Sequence, residues 1–331
     1  MGQKVAEHLK RRLLFYALLA IALGWWAGAN GAGWVTAQKG ALRVLAQLLV
    51  FLMIYPMMIN LNLELLPKEA REPKPVGLSL AYNYLLTPLL AYLLARIFIP
   101  NPELALGFFL VMLIPGSSMA VGYTGLVGGS LEVATVTQAV NFLVLPLALP
   151  LYLTALAHSF RLAVPVAGLL ATVFWVLILP MFLGDLTRRA VLGRFGTPGL
   201  ARLKPWLGVV TMVTMLVLVA LIFMLKGAML TLKWPLLLPL VLASIVYLVL
   251  ILGLATWLDR ALGLGYREHM GVAFVSSGKN NGTAIAIAVT AMSPLVALPA
   301  AILPLVQIVA LVGYVHLAGA VLRFFGEQAV A

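Results

Sequence analysis

Val275-Ser276-Ser277-Gly278-Lys279-Asn280-Asn281-Gly282-Thr283 interrupts a sequence that is apolar for a helical length on both sides. A lysine, two adjacent asparagines, two serines and two glycines stand where a membrane span would have its middle. Lysine at mid-bilayer costs about 2.5–3.5 kcal/mol on insertion scales. Polar, glycine-rich backbone at that depth is tolerated only where protein buries it or it lines an aqueous cavity. The stretch therefore reads as a broken helix at a substrate site. The competing reading is that Lys279 ends a helix and snorkels its ammonium to the interface. The apolar span that continues beyond it favours the break.

The surrounding composition supports this setting. Of 331 residues, 63% are hydrophobic and only 10% are charged, with a mean hydropathy of +1.08. Soluble domains carry about 25% charged residues, so the chain reads as an integral membrane protein whose solvent partner is the lipid bilayer. Cysteine is absent, which excludes disulfides, thiolate metal sites and cysteine nucleophiles. The net charge of +12 sits in short loops between apolar spans, a topology signal rather than a nucleic-acid footprint.

Ten helical-length apolar segments follow one another, at Leu13 to about Gly28, then 42–66, 76–99, 104–127, 131–157, 162–185, 206–226, 234–258, 269–291 and 294–322. Each approaches the roughly 20 residues needed to span a bilayer. Ala27-Gly28-Ala29 fits a signal-peptidase site, but the pairing of segments described next favours a retained first helix. Connections are short except 186–205, which holds Arg188, Arg189, Arg194, Arg202 and Lys204. With the N-terminus inside, the inner segments carry fifteen Lys and Arg and the outer loops six. Both termini are therefore expected in the cytoplasm of a multi-pass cell (inner) membrane protein.

Segments four and nine are the interrupted ones. At an offset of 160 residues, Ser117 falls on Ser277, Gly122 on Gly282, and segment four on segment nine. A duplicated unit of five helices must enter the membrane in opposite orientations, so the expectation is one membrane domain, 1–331, made of inverted repeats 1–160 and 161–331.

In segment four, Pro115 cannot donate to the helical ladder and Gly116 lets the backbone leave it. The freed N–H groups of Ser117, Ser118 and Met119 could face an anionic or polar substrate. The competing reading is an ordinary proline kink. Asn83, and Gln138 with Asn141 three residues on, put amides inside segments three and five; interhelical hydrogen bonds explain such residues as often as ligands do. Gln307 and His316 in segment ten receive the structural reading. All ten acids fall in loops or near expected helix ends, leaving no carboxylate beside the breaks. A buried Lys279 would instead supply positive charge or a titratable proton.

No enzyme motif survives inspection. Gly278-Lys279 has the wrong spacing for a phosphate loop, and Asn280 replaces its Ser/Thr. The four histidines, His8, His158, His269 and His316, are dispersed. No cofactor or metal is expected.

The chain resembles the bile acid:sodium symporter superfamily, and within it the arsenite efflux permease branch. Met53-Ile54-Tyr55-Pro56, Gly77-Leu78-Ser79-Leu80-Ala81-Tyr82-Asn83-Tyr84, and Asn280-Asn281 with the Ala/Ile run behind them carry the likeness. The resemblance implies an all-α protein of ten helices: a panel of helices one, two, six and seven, and a core of the remainder. It also implies that helices four and nine cross at unwound centres beside the substrate. The departures are chemical. Where arsenite permeases carry a reactive cysteine and a glutamate, this chain has Gly116 and Thr283. The acid and amide of the sodium symporters' break fall on Val275 and Lys279, and their Ser-Asn pair on Ala120 and Val121.

These features lead to the expectation of a secondary transporter for a small anionic or polar solute, sodium-independent and working by alternating access. Substrate contacts are expected from Asn83, Gly116, Ser117, Ser118, Gln138, Asn141, Ser276, Ser277, Gly278, Lys279, Asn280, Asn281 and Thr283, with Lys279 standing in for a coupling cation. A channel, an arsenite-type permease with altered chemistry, and a membrane scaffold with a dry, closed centre are the rival readings.

Overall fold

The computed structural model describes residues 2–61, 73–157 and 166–326, and every regular element among them is helical. A short basic helix α1 (Gly2–Arg11) precedes α2 (Leu13–Asn30), the single turn-and-a-half α3 (Ala32–Ala37) and α4 (Lys39–Asn60). Next come α5 (Pro73–Ala81), α6 (Thr87–Phe98), α7 (Pro102–Leu113), α8 (Ser118–Leu126) and α9 (Leu131–Ala157). The second half holds α10 (Val166–Val173), α11 (Leu179–Lys233), α12 (Leu237–Ala261), α13 (Tyr266–Ser277), α14 (Asn281–Ala291), α15 (Pro294–His316) and α16 (Ala318–Phe324).

Six helical stretches among the described residues are long and apolar enough to cross a membrane, and Pro102–Leu113 and Asn281–Ala291 are shorter apolar helices. Large side chains such as Trp26, Ile97, Leu147 and Val249 point outward. An apolar exterior of that extent fits lipid rather than water.

Local chemistry sets the boundaries. Asn101 caps α7 by accepting from the Leu104 N–H at 3.0 Å, with Pro102 at the first helical position. Ser293 and Pro294 repeat the device at the start of α15. α7 stops at Leu113, two residues before Pro115, as expected from proline's steric demand on the residues before it. The basic 186–205 stretch, expected as a loop, is helical instead, and α11 bends sharply at Gly196 (φ 63°, ψ −171°). Gly184 before the bend packs on Met58, and Thr211 after it donates to the Met53 carbonyl at 3.3 Å. Both halves of α11 therefore meet α4, and the chain doubles back at Gly196. The expected ends of segment two (62–66) and start of segment six (162–165) lie outside the described residues.

Packing falls into two groups. α2 and α4 pack against α11, while α7 packs on α15, α13 on α9, and α12 on α13 and α15. α14 touches α4, and α11 touches α15, so the two groups meet around the polar centre.

Candidate functional site

The two interrupted segments meet at their breaks. Gly116 and Lys279 form an antiparallel bridge. The Ser117 N–H donates to the Gly278 carbonyl at 3.0 Å, and the Asn280 N–H donates to the Pro115 carbonyl at 3.0 Å. Each unwound segment thus supplies what the other's broken ladder lacks. Contact this close requires a glycine: a Cβ on Gly116 would fall on the Val275 carbonyl, and one on Gly278 would lie 3.0 Å from the Ala120 Cβ. The Ser117 N–H, expected to face substrate, is consumed by this crossing. Ser118 opens α8, and its side chain lies outside the described part of the structure.

Lys279 is 1% exposed. Its Nζ donates to the Asn83 Oδ1 at 2.8 Å and lies 5.9 Å from the centroid of the Tyr247 ring. Among the described residues no carboxylate forms an ion pair with it. The snorkelling reading therefore fails: the ammonium stays at the crossover.

Asn83 is positioned by backbone irregularity. The five residues Tyr82–Leu86 between α5 and α6 form a π-helical turn, a device that widens a helix and recurs at functional sites. The Asn83 Nδ2 donates to the Ser79 carbonyl at 3.0 Å and to Ser276 Oγ at 3.4 Å. Asn141 donates to Ser79 Oγ at 2.8 Å, and Gln138 donates to the Gly116 carbonyl at 3.0 Å. The amides of segments three and five thus join the crossover.

On the far side, Asn280 caps α14 by accepting from the Thr283 N–H at 3.1 Å. Its Nδ2 approaches the Met57 thioether at 2.9 Å, and Thr283 Oγ1 lies 3.8 Å from the same sulfur. Asn281 and Gln307 both donate to the Lys279 carbonyl, at 3.4 and 3.2 Å. Gln307 thus makes the interhelical hydrogen bond of its structural reading, and makes it to the crossover itself. Ser277 turns back to the Ala273 carbonyl within its own helix and does not join the cluster.

Among the described residues, four amide oxygens, on Asn60, Asn141, Asn281 and Gln307, are buried without a hydrogen-bond partner. Native interiors leave few such atoms. Here three of them belong to amides hydrogen-bonded at the crossover or beside it, and the arrangement is a polar centre short of partners.

A second buried network stands one residue from Asn83. Asp259 and His269, both fully buried, pair at 2.6 Å. Tyr82 donates to Asp259 at 2.6 Å, and His269 Nε2 meets the Tyr314 hydroxyl at 2.8 Å. Asp259 does end a helix, as expected of the acids, but it is buried rather than solvated. Its partner lies ten residues on, across a helix–helix turn, so neither residue carries a local signal of the pairing.

Residues 47–233 match the sodium bile acid symporter family. The arsenical-resistance protein Acr3 of Corynebacterium glutamicum is 23% identical over 335 residues, covering 93% of this chain and 88% of that protein. Acr3 of Alkaliphilus metalliredigens is 26% identical over 156 residues, 44% of this chain and 43% of that protein. The P3 protein of Homo sapiens is 29% identical over 153 residues, covering 44% of this chain and 31% of that protein.

Proposed function

The chain belongs to the sodium bile acid symporter family, and from that premise of a membrane transporter, not an enzyme, we propose that it carries a small anionic or polar organic solute by alternating access. The observation that carries the reading is Lys279: a buried ammonium at the crossing of two broken helices, with Asn83 as its hydrogen-bond acceptor and no carboxylate partner among the described residues. An uncompensated buried charge is costly, and an anionic solute would complete the site. The unpartnered oxygens of Asn141, Asn281 and Gln307 give a polar solute further contacts and weigh against a closed scaffold, which would satisfy its own polar groups.

In this reading ten helices form two inverted five-helix repeats. The group around α11 acts as a panel that rocks against the rest, with Lys279 holding the crossover together where relatives would use a cation. The burial of the centre corresponds to an occluded stage of that cycle. The substrate contacts in this reading are Lys279, Asn83, Gln138, Asn141 and Gln307, while Gly116 and Gly278 let the two broken segments approach each other closely.

A second reading, an arsenite-type permease with altered chemistry, draws on the two Acr3 relatives. The chain has no cysteine, and the soft ligands at the crossover are thioethers. Met57 lies against Asn280, and Met53 is the side chain nearest a Cβ placed on Gly282.

Organic acids should raise the melting temperature of the purified protein, and Lys279→Gln should abolish that response while still folding. Lys279→Arg should lose it too, because a planar fork cannot replace a compact ammonium in so close a crossing. Full response in both variants would remove Lys279 from the site. In proteoliposomes a transporter shows saturable counterflow. Flux linear in concentration and indifferent to trans-substrate would identify a pore instead. Flux of arsenite but of no organic acid would favour the second reading.

A further inference from the structure

Away from the crossover, α11 buries a second cation that nothing in the transport reading uses. Arg188 is 5% exposed, and among the described residues its Nε and Nη1 have no hydrogen-bond partner. The acid one turn earlier does not serve it: Asp185 pairs with Arg189 at 2.7 Å through Oδ2, and its Oδ1 is itself unbonded. On the other limb of the Gly196 hairpin stands Lys204, exposed and eight residues past the bend, as Arg188 stands eight before it. Two cations thus flank the bend at matching positions on its two limbs, one of them buried with N–H groups unbonded among the described residues.

Removing one partner of a buried ion pair is strongly unfavourable because the remaining charge is uncompensated. Arg188 stands in that unpaired condition here. What would complete it is an anion with acceptor oxygens on more than one side, able to meet two edges of a guanidinium and a lysine at once. A tetrahedral phosphate has that shape; a planar carboxylate offers two oxygens in one plane. The position favours the same chemistry. Trp206, two residues beyond Lys204, is exposed and packs beside Gly2 of the basic helix α1. Exposed tryptophan beside clustered Lys and Arg marks a membrane–water boundary, where phosphate headgroups are the abundant anion.

We propose that Arg188 and Lys204 form a phosphate-binding site at the turn of the α11 hairpin, filled by an anionic phospholipid headgroup or by free phosphate. The bound anion neutralises the buried guanidinium and ties the two limbs of the hairpin together.

The test uses the full chain in an uncharged, phosphate-free detergent, with melting temperature as the readout. Inorganic phosphate and a short-chain phosphatidylglycerol are titrated separately, and phosphatidylcholine of equal chain length serves as the uncharged control. Phosphatidylglycerol is expected to raise the wild-type midpoint by several degrees at saturation. Arg188→Gln should lose the shift, and Lys204→Gln should need a higher lipid concentration to reach it. A shift from inorganic phosphate at the same concentrations would assign the site to free phosphate; a shift from the lipid alone would assign it to the headgroup. No wild-type shift with either anion, or an equal shift from phosphatidylcholine, would overturn the proposal. Without any anion, Arg188→Gln should melt no lower than wild type, because it removes an unpaired charge. A lower midpoint there would reveal an internal partner and also overturn it. Should that variant fail to fold, the exposed Lys204→Gln carries the test, and an unchanged titration would reject the site.

Discussion

Lys279 and Asn83 are 196 residues apart in the chain, yet one hydrogen bond of 2.8 Å defines the centre of the molecule. Asn83→Ala would leave the ammonium with no acceptor. A hydrogen bond to a charged group contributes about 1.5–3 kcal/mol, so the melting midpoint in detergent should fall measurably. Asn83→Asp, which restores an acceptor and adds the missing counter-charge, should melt above the alanine variant. Equal midpoints for wild type and Asn83→Ala would show that the bond contributes nothing. Lys279 was legible in the sequence because a lysine flanked by glycine and asparagine stands out in an apolar run. Gln307, Ser79 and Tyr247 were not, because a single polar residue in an apolar helix gives no sign of which neighbour it faces.

At the scale of elements, packing is set by where backbones touch. Gly24 and Gly28 lie four apart on α2, and a Cβ on either would strike the backbone of α11, at Ala220 and Met224. From the partner side, Gly227 meets the α2 backbone at Gly28 and Ala29. Small residues at that spacing let membrane helices approach closely and gain van der Waals contact. Gly28→Leu should therefore force α2 off α11. Overpacking of this kind costs about 1–3 kcal/mol, read as a lower melting midpoint. Gly40→Leu in α4, where an added Cβ meets nothing within 4 Å, is the control and should leave the midpoint unchanged or raise it. Equal losses at both positions would mean general glycine effects and not close packing. Of these glycines, Gly28 also lies in Ala27-Gly28-Ala29, the tripeptide that fits a signal-peptidase site. The 186–205 stretch misled in the opposite way. Its charges read as a loop, but the turn needs only Gly196, whose positive φ suits glycine, and the flanking residues stay helical.

For the whole molecule, the decisive question is whether sodium takes part in transport. The neutral amide oxygens of Asn141, Asn281 and Gln307 are competent oxygen ligands, so geometry alone does not reject the ion. Charge argues against it. Two unit charges about 4 Å apart repel by about 4 kcal/mol at an effective dielectric constant near 20. No carboxylate pairs with Lys279 among the described residues to offset this. The lysine also ties together the elements that meet at the crossover. Its backbone bridges Gly116, its carbonyl receives Gln307 and Asn281, and its ammonium reaches α5–α6 through Asn83. A cation that is covalently part of the chain cannot dissociate in each cycle, so transport should be independent of the sodium gradient. Uptake into proteoliposomes is therefore expected to be unchanged when Na⁺ is replaced by choline or K⁺ at fixed pH and membrane potential. Lys279→Gln, which empties the position while leaving the amides in place, is the informative partner. If sodium supports transport in that variant but not in wild type, the lysine has taken the ion's place. If wild-type transport stops without sodium, the substitution argument fails, and the amide oxygens become the ion's ligands despite the nearby charge.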